Sequence, residues 1–191
     1  MKTFRCDHCG HPLFFENVQC LQCGSALAFL PHRLALCAIE PVAGEDGIWQ
    51  RLTTRGRQAQ HRWRLCRNHT EHQACNFALP AEDPNEYCAS CRQTRVLPDL
   101  SIPENVERWY SIEVAKRRLF YTLAHLRLVN PMPPNGERDG PVFEFMADTP
   151  GHMVMTGHAN GVITLNVAEA DDAERVKRRV ELHEPYRTLL G

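Results

Sequence analysis

Eight of the nine cysteines in this 191-residue chain fall into two separate sets of four. Cys6, Cys9, Cys20 and Cys23 form two Cys-x-x-Cys pairs with ten residues between them. Cys66, Cys75, Cys88 and Cys91 form a looser set that also closes on Cys-x-x-Cys. Two thiolates two residues apart hold one metal ion from a tight turn, and a second such turn completes a tetrahedron. This constrains the first half of the chain more than any apolar pattern does, because metal binding supplies folding free energy directly.

The first set reads as a zinc ribbon. Gly10 and Gly24 each follow the second cysteine of their pair, where the chain must turn back and a left-handed backbone is useful. The stretch from Pro12 to Gln19 is the length of a short hairpin. A disulfide framework is the competing reading. The residues before Cys6 are too few and too polar for a secretory leader. The cysteine count is odd, and a cytoplasmic setting keeps thiols reduced. Zinc at Cys6, Cys9, Cys20 and Cys23 is therefore expected.

In the second set eight, twelve and two residues separate successive cysteines. His69 and His72 lie inside it and could replace a thiolate. Four thiolates are preferred, because the pair Cys88 and Cys91 needs two partners and Cys66 and Cys75 are the nearest. The two histidines are then exposed loop residues. Two structural zinc ions are expected in all. Cys37 lies in the apolar run Leu34–Ile39 and reads as a small buried hydrophobe.

Hydrophobic residues make up 43% of the chain and charged residues 24%, as in ordinary globular proteins. No apolar run approaches the roughly 20 residues that span a bilayer, so no membrane partner is expected. The formal net charge is −1, and each four-thiolate centre adds about two negative charges. That balance argues against nucleic acid as a partner. One segment pulls the other way: Arg51, Arg55, Arg57, Arg62, Arg64 and Arg67 crowd around Trp49 and Trp63. The alternation of His61, Trp63 and Leu65 with Arg62 and Arg64 favours a solvated hairpin instead.

The character changes at Pro98. Ser101 and Glu104 have capping-box spacing with Pro103 in the first turn. Trp109, Ile112, Leu119, Phe120, Leu123 and Leu126 then recur at helical intervals. Asn130 to Pro141 is a loop by composition. Strands are expected at Val142–Met146, Met153–Thr156 and Val162–Val167, with a turn over His158–Gly161 joining the last two. A helix is expected from about Glu169 to Leu182, with acidic residues first and basic residues last. Asp171 with Arg175 and Glu174 with Arg178 stand in the favourable i,i+4 order. Pro185 opens a further helix that the chain leaves after one turn.

Several stretches carry a family resemblance: Cys75-Asn76-Phe77, Cys88 to Arg92, Pro98-Asp99-Leu100, Ala115 to Leu119, Thr156 to Asp172, and Glu184 to Gly191. Together they resemble bacterial zinc-binding metallopeptidases with an N-terminal zinc ribbon. The resemblance covers essentially the whole chain. It implies a helix bearing His-Glu-x-x-His immediately after the stretch that matches Gly191, and this sequence contains no such motif. In that motif two imidazoles hold catalytic zinc and the glutamate activates the metal-bound water. No catalytic residue is therefore assigned. His152, His158 and His183 are too scattered for a helical pair, and Glu184 reads as a helix cap. The resemblance also suggests a peptide-binding edge strand over Val162, Ile163, Thr164, Leu165 and Asn166, through which extended peptide adds to a sheet. The alternation of Val162, Thr164 and Asn166 with Ile163, Leu165 and Val167 supports a plain core strand at least as well.

The expected fold class is small zinc-ribbon β modules followed by an incomplete α+β metallopeptidase-like domain. The expected domains are a zinc ribbon at 1–30, a second zinc-binding β module at 34–97, and the truncated front of the peptidase-like domain at 98–191. The expected function is zinc binding without peptidase activity, in the cytoplasm, with peptide or protein as the substrate class of the intact relative. A face left open by truncation, at Leu189 and Leu190, would favour self-association. The alternative is a non-enzymatic zinc-ribbon module that binds protein or nucleic acid.

Overall fold

The structure is a computed structural model that describes residues 3–52, 61–133, 137 and 140–181. Arg55, Arg57, His183, Glu184, Leu189, Leu190 and the helix expected from Pro185 lie outside the described residues. The chain divides into two units, one of Met1–Arg92 with Tyr121–Asp139, the other of Gln93–Phe120 with Gly140–Gly191.

The first unit is β-rich. Strands β1 (Phe4–Arg5) and β2 (Pro12–Leu13) pair antiparallel across the first cysteine turn. A five-stranded antiparallel sheet follows in the order β3 (Ala26–Leu30), β4 (Ala35–Pro41), β5 (Trp49–Arg51), β6 (Trp63–Leu65) and β7 (Ala78–Pro80). Full pairing of β3 with β4 joins the segments expected as separate modules, 1–30 and 34–97, in one sheet.

Period-two alternation sorts the two faces of β3. Ala28 and Leu30 pack with Cys37, Ile39, Trp63 and Ala78 on one face, with Trp49 and Leu65 against them. Phe29 faces an aromatic cluster on the other. It stacks on Phe77 at 4.3 Å and meets Phe15 and Tyr121 edge-on at 5.5 and 6.0 Å. Phe29 also forms a parallel bridge with Phe77, and its N–H donates to the Asn76 carbonyl at 2.8 Å, so the last strand of the sheet returns to the first. Arg67–Thr70 form the short helix α1.

The second unit holds a mixed sheet in the order β10 (Gly157–Ala159), β11 (Val162–Asn166), β9 (Val142–Met146) and β8 (Thr94–Val96). β11 and β8 run parallel to β9, and β10 runs antiparallel to β11. Helix α2 (Pro103–His125) connects β8 towards β9, and its last turn from Tyr121 belongs to the first unit. The expected capping box does not form in the described geometry: the Ser101 hydroxyl donates to Asp99 Oδ1 at 2.7 Å. The β10–β11 hairpin turns at Asn160 and Gly161, both with positive φ, as a two-residue loop between twisted strands requires.

Two expectations change here. Met153–Thr156 is not a strand, because side chains take up part of its backbone: Val154 N donates to Asp148 Oδ1 at 2.7 Å, and Val154 O accepts from Asn166 Nδ2 at 3.0 Å. The helix expected from Glu169 starts later. A 3-10 turn fills Val167–Ala170, and α3 runs Asp172–Glu181. Asp171 caps α3, its Oδ1 accepting from the N–H groups of Ala173 and Glu174 at 2.8 and 3.1 Å. Glu174 pairs with Arg178 as expected, at 2.9 Å, whereas Arg175 pairs with Asp172 rather than Asp171.

Candidate metal centres

Each cysteine set converges. Within each, the four Sγ atoms lie within 4.8 Å of one another. Among the described residues these are the groups of three or more metal-ligating side chains that come together.

The first centre is built from two similar turns. Gly10 N donates to Cys6 O and Gly24 N to Cys20 O, each at 2.8 Å, with φ of +79° and +72° at the two glycines. Chain reversal after each second cysteine thus aims both thiols of a pair inward, and the positive φ explains the glycines. Cys6 Sγ lies 3.8 Å from Cys23 Sγ, and Cys9 Sγ lies 3.6 Å from Cys20 Sγ. Cys6 and Cys20 are buried, whereas Cys9 and Cys23 face solvent. The Ser25 hydroxyl, 3.3 Å from Cys23 Sγ, pulls that thiol down to about 6.

The second centre is wholly buried. Cys66 stands at the N-terminal boundary of α1, and the Cys88–Cys91 turn is closed by Arg92 N donating to Cys88 O at 2.9 Å. Cys75 Sγ is 3.8 Å from Cys88 Sγ and 3.7 Å from Cys91 Sγ. Backbone N–H groups aim at the sulfurs: Cys88 N at Cys66 Sγ (3.3 Å), Phe77 N at Cys75 Sγ (3.4 Å) and Cys91 N at Cys88 Sγ (3.4 Å). Such donors stabilise thiolates. Burial, then the neighbouring sulfurs of Cys66, Cys75 and Cys91, push the Cys88 thiol well up, whereas the hydrogen bond with Cys66 pulls the Cys91 thiol down.

These spacings test the metal. A disulfide requires sulfurs about 2.05 Å apart, and neither centre has that. A zinc–sulfur bond of about 2.3 Å implies a tetrahedral edge of about 3.8 Å. Two sulfur pairs in each centre, at 3.6 to 3.8 Å, match that edge, and all four sulfurs stay within 4.8 Å. The donor set fits zinc, which when bound would offset the charge of the clustered thiolates.

His69 and His72 are not in either cluster. His69 Nδ1 sits 2.7 Å from Cys75 O, bracing the second centre from outside, and His72 lies 3.8 Å from Glu71. Cys37 is buried in β4 at 2% exposure, remote in role from both centres, and burial pushes its thiol up to about 11.

Two supporting residues escaped the sequence reading. Asp7 sits between Cys6 and Cys9; its Oδ1 accepts from Ala38 N at 2.7 Å and its Oδ2 pairs with Arg51 at 2.6 Å. It pins the first cysteine turn to β4 and β5. Asn76, next to Cys75, donates from Nδ2 to Phe15 O at 2.5 Å and ties the second centre to the ribbon. The available signal was only a polar residue adjoining a ligand.

The arginine run is engaged internally where it is described. Arg51 pairs with Asp7, Arg62 with Glu45 at 3.6 Å, and Arg67 with Glu71 and Glu86 at 2.8 and 2.7 Å. Arg64 donates to the carbonyls of Asp83 and Asn85. The strand suggested for peptide addition needs a correction. Val162–Asn166 is an interior strand, paired along its length with β9 on one side and over Val162–Thr164 with β10 on the other, so it is not the edge of its sheet. The hairpin turn at Asn160 folds β10 back along it and takes the edge position.

No described helix is long and apolar enough to cross a membrane. Compared with known proteins, residues 3–102 match a family model described as a zinc-ribbon domain. Residues 105–191 match one described as "Putative zinc-binding metallo-peptidase". An uncharacterized protein of Mycobacterium bovis is 38% identical over 191 residues, covering 100% of this chain and 50% of the relative. Uncharacterized proteins of two Mycobacterium tuberculosis strains match to the same extent, each 38% identical with 50% of its length covered. The chain thus spans about half the length of the curated relatives it matches. No solved structure matches it at a significant level.

Proposed function

The chain belongs to the family in which a zinc-ribbon domain is followed by a zinc-binding metallo-peptidase domain, and from that premise we propose that residues 1–191 hold two structural zinc ions without hydrolysing peptides themselves. Cys6, Cys9, Cys20 and Cys23 hold one ion, and Cys66, Cys75, Cys88 and Cys91 hold the other. The observation that carries this reading is the convergence of four Sγ atoms within 4.8 Å in each cluster, with sulfur pairs at 3.6 to 3.8 Å among them. Both ions act on the fold: each fixes turns that the local sequence is too short and too polar to hold by packing.

Peptide hydrolysis by zinc requires a ligand set with an open position and a base beside it. Four thiolates close the coordination sphere, and the sequence contains no His-Glu-x-x-His. Peptide or protein is the proposed substrate class for longer members of the family that carry such a motif. The internal engagement of the described arginines weighs against nucleic acid as the partner of this segment.

Native mass spectrometry of the purified 191-residue chain tests the reading, alongside a peptidase assay. Two zinc ions per chain and no hydrolysis are expected. A count other than two, or hydrolysis abolished by chelation and restored by zinc, would overturn it.

A further inference from the structure

The two centres differ in one respect that their shared chemistry does not require: access to solvent. In the second, all four cysteines are between 0% and 4% exposed. In the first, each close sulfur pair joins one buried and one exposed residue, Cys6 with Cys23 and Cys20 with Cys9. Resting on the two-zinc reading above, we propose that the ribbon centre is an oxidant-labile metal site, taking hydroperoxides as its reactant, whereas the second centre is permanent.

Attack on a thiolate needs a path to the sulfur, and Cys9 and Cys23 offer one. The exposed thiolate displaces water from hydrogen peroxide: its sulfur takes one oxygen, the O–O bond breaks, and a sulfenic acid forms. The buried partner, 3.6 or 3.8 Å away, then attacks that sulfur and expels the hydroxyl as a second water. In net terms two thiolates, one peroxide and two protons give one disulfide and two waters. The sulfurs are oxidised by two electrons and the peroxide is reduced by two. A disulfide leaves only two thiolates in the cluster, too few to hold the metal.

The consequence travels through Asp7. It lies inside the first cysteine turn, and its carboxylate holds Ala38 N and Arg51. Rearrangement of that turn withdraws this anchor from β4 and β5. Oxidation at the ribbon is thereby communicated to the sheet that carries Trp49 and Trp63.

The test uses the intact zinc-loaded chain, titrated with hydrogen peroxide, with released zinc read by a chromogenic chelator and disulfides mapped by mass spectrometry. One zinc is expected to leave at least about tenfold faster than the other, accompanied by a Cys6–Cys23 or Cys9–Cys20 disulfide. A thiol reductant with added zinc should restore the count. Simultaneous loss of both ions, or a first disulfide among Cys66, Cys75, Cys88 and Cys91, would overturn the proposal. An untreated chain holding fewer than two zinc ions would instead remove the reading on which it rests.

Discussion

Lys116 Nζ lies 2.8 Å from Glu113 Oε1, one helical turn away on α2, with the two side chains 2% and 0% exposed. Lys116 also donates to Thr94 Oγ1 at 2.6 Å and sits over the rings of Phe143 and Phe145 at 6.0 and 5.6 Å. The pair anchors the helix to β8 and β9 within the second unit. Removing one member strands a charge in the interior, which costs about 3–5 kcal/mol, whereas replacing both with apolar groups does not. Glu113→Leu or Lys116→Met alone should therefore lower stability by about 3 kcal/mol or more. The double variant should recover most of that. A denaturant double-mutant cycle in which the two losses simply add would refute the coupling.

Asn166 holds a second buried polar hub. Its Nδ2 donates to Asp148 Oδ1 at 2.6 Å and to Val154 O at 3.0 Å, and its Oδ1 accepts from Ala168 N at 3.0 Å. Asn166→Leu should cost about 2–3 kcal/mol, because several polar groups lose partners at once. The amide of Val154, which donates to Asp148, should exchange its hydrogen faster in that variant. Unchanged exchange would show that Asp148 is held by Arg178 alone.

Ligand assignment makes opposite predictions for two buried cysteines. Cys75→Ser should leave one zinc per chain and abolish the near-ultraviolet signal of Trp49 and Trp63, which pair across the sheet the centre supports. Cys37→Ala should keep both ions and cost only about 1 kcal/mol, the scale of a small core truncation. Loss of a zinc from the Cys37 variant would reject the division of the nine cysteines.

His32 stacks on Trp63 at 4.8 Å and lies 5.4 Å from the ring of His61. Partial burial of the imidazole, then His61, Arg33 and Arg51, pull it down to about 4. The unfolded chain, with an ordinary imidazole near 6.5, takes up this proton first as pH falls. Stability contributed here is thus complete above pH 6.5 and lost between 6.5 and 4. The gap in denaturation midpoint between wild type and His32→Phe should change between pH 7 and 5.5, to the disadvantage of wild type. An NMR titration placing His32 at 6.5 or above would contradict this.

The metal sites were legible because coordination is a local rule: a thiolate pair two residues apart with a following glycine needs no distant partner to be recognised. Asp7 and Asn76 were not, since they act on Ala38 and Phe15, placed nearby only by the folded chain. Periodicity found α2 but misjudged its buried stripe. Glu113, Lys116 and Arg117 are in it, whereas Leu126 falls beyond the helix end at 60% exposure. Apolarity cannot reveal a face that buries charge in pairs. The strand at Val162–Asn166 was legible as a strand, but its neighbours depend on topology, and topology encloses it.

The bridge between Phe29 and Phe77 brings the two ends of the five-stranded sheet together. An open sheet of this size would present a row of unsatisfied amides at each margin, a template for joining other chains into aggregates. Where Phe29 N meets Asn76 O, β3 and the residues leading into β7 satisfy each other at that point. Protection of this kind is a property of closure rather than of surface charge. It should therefore persist at high salt, where repulsion between molecules no longer keeps them apart.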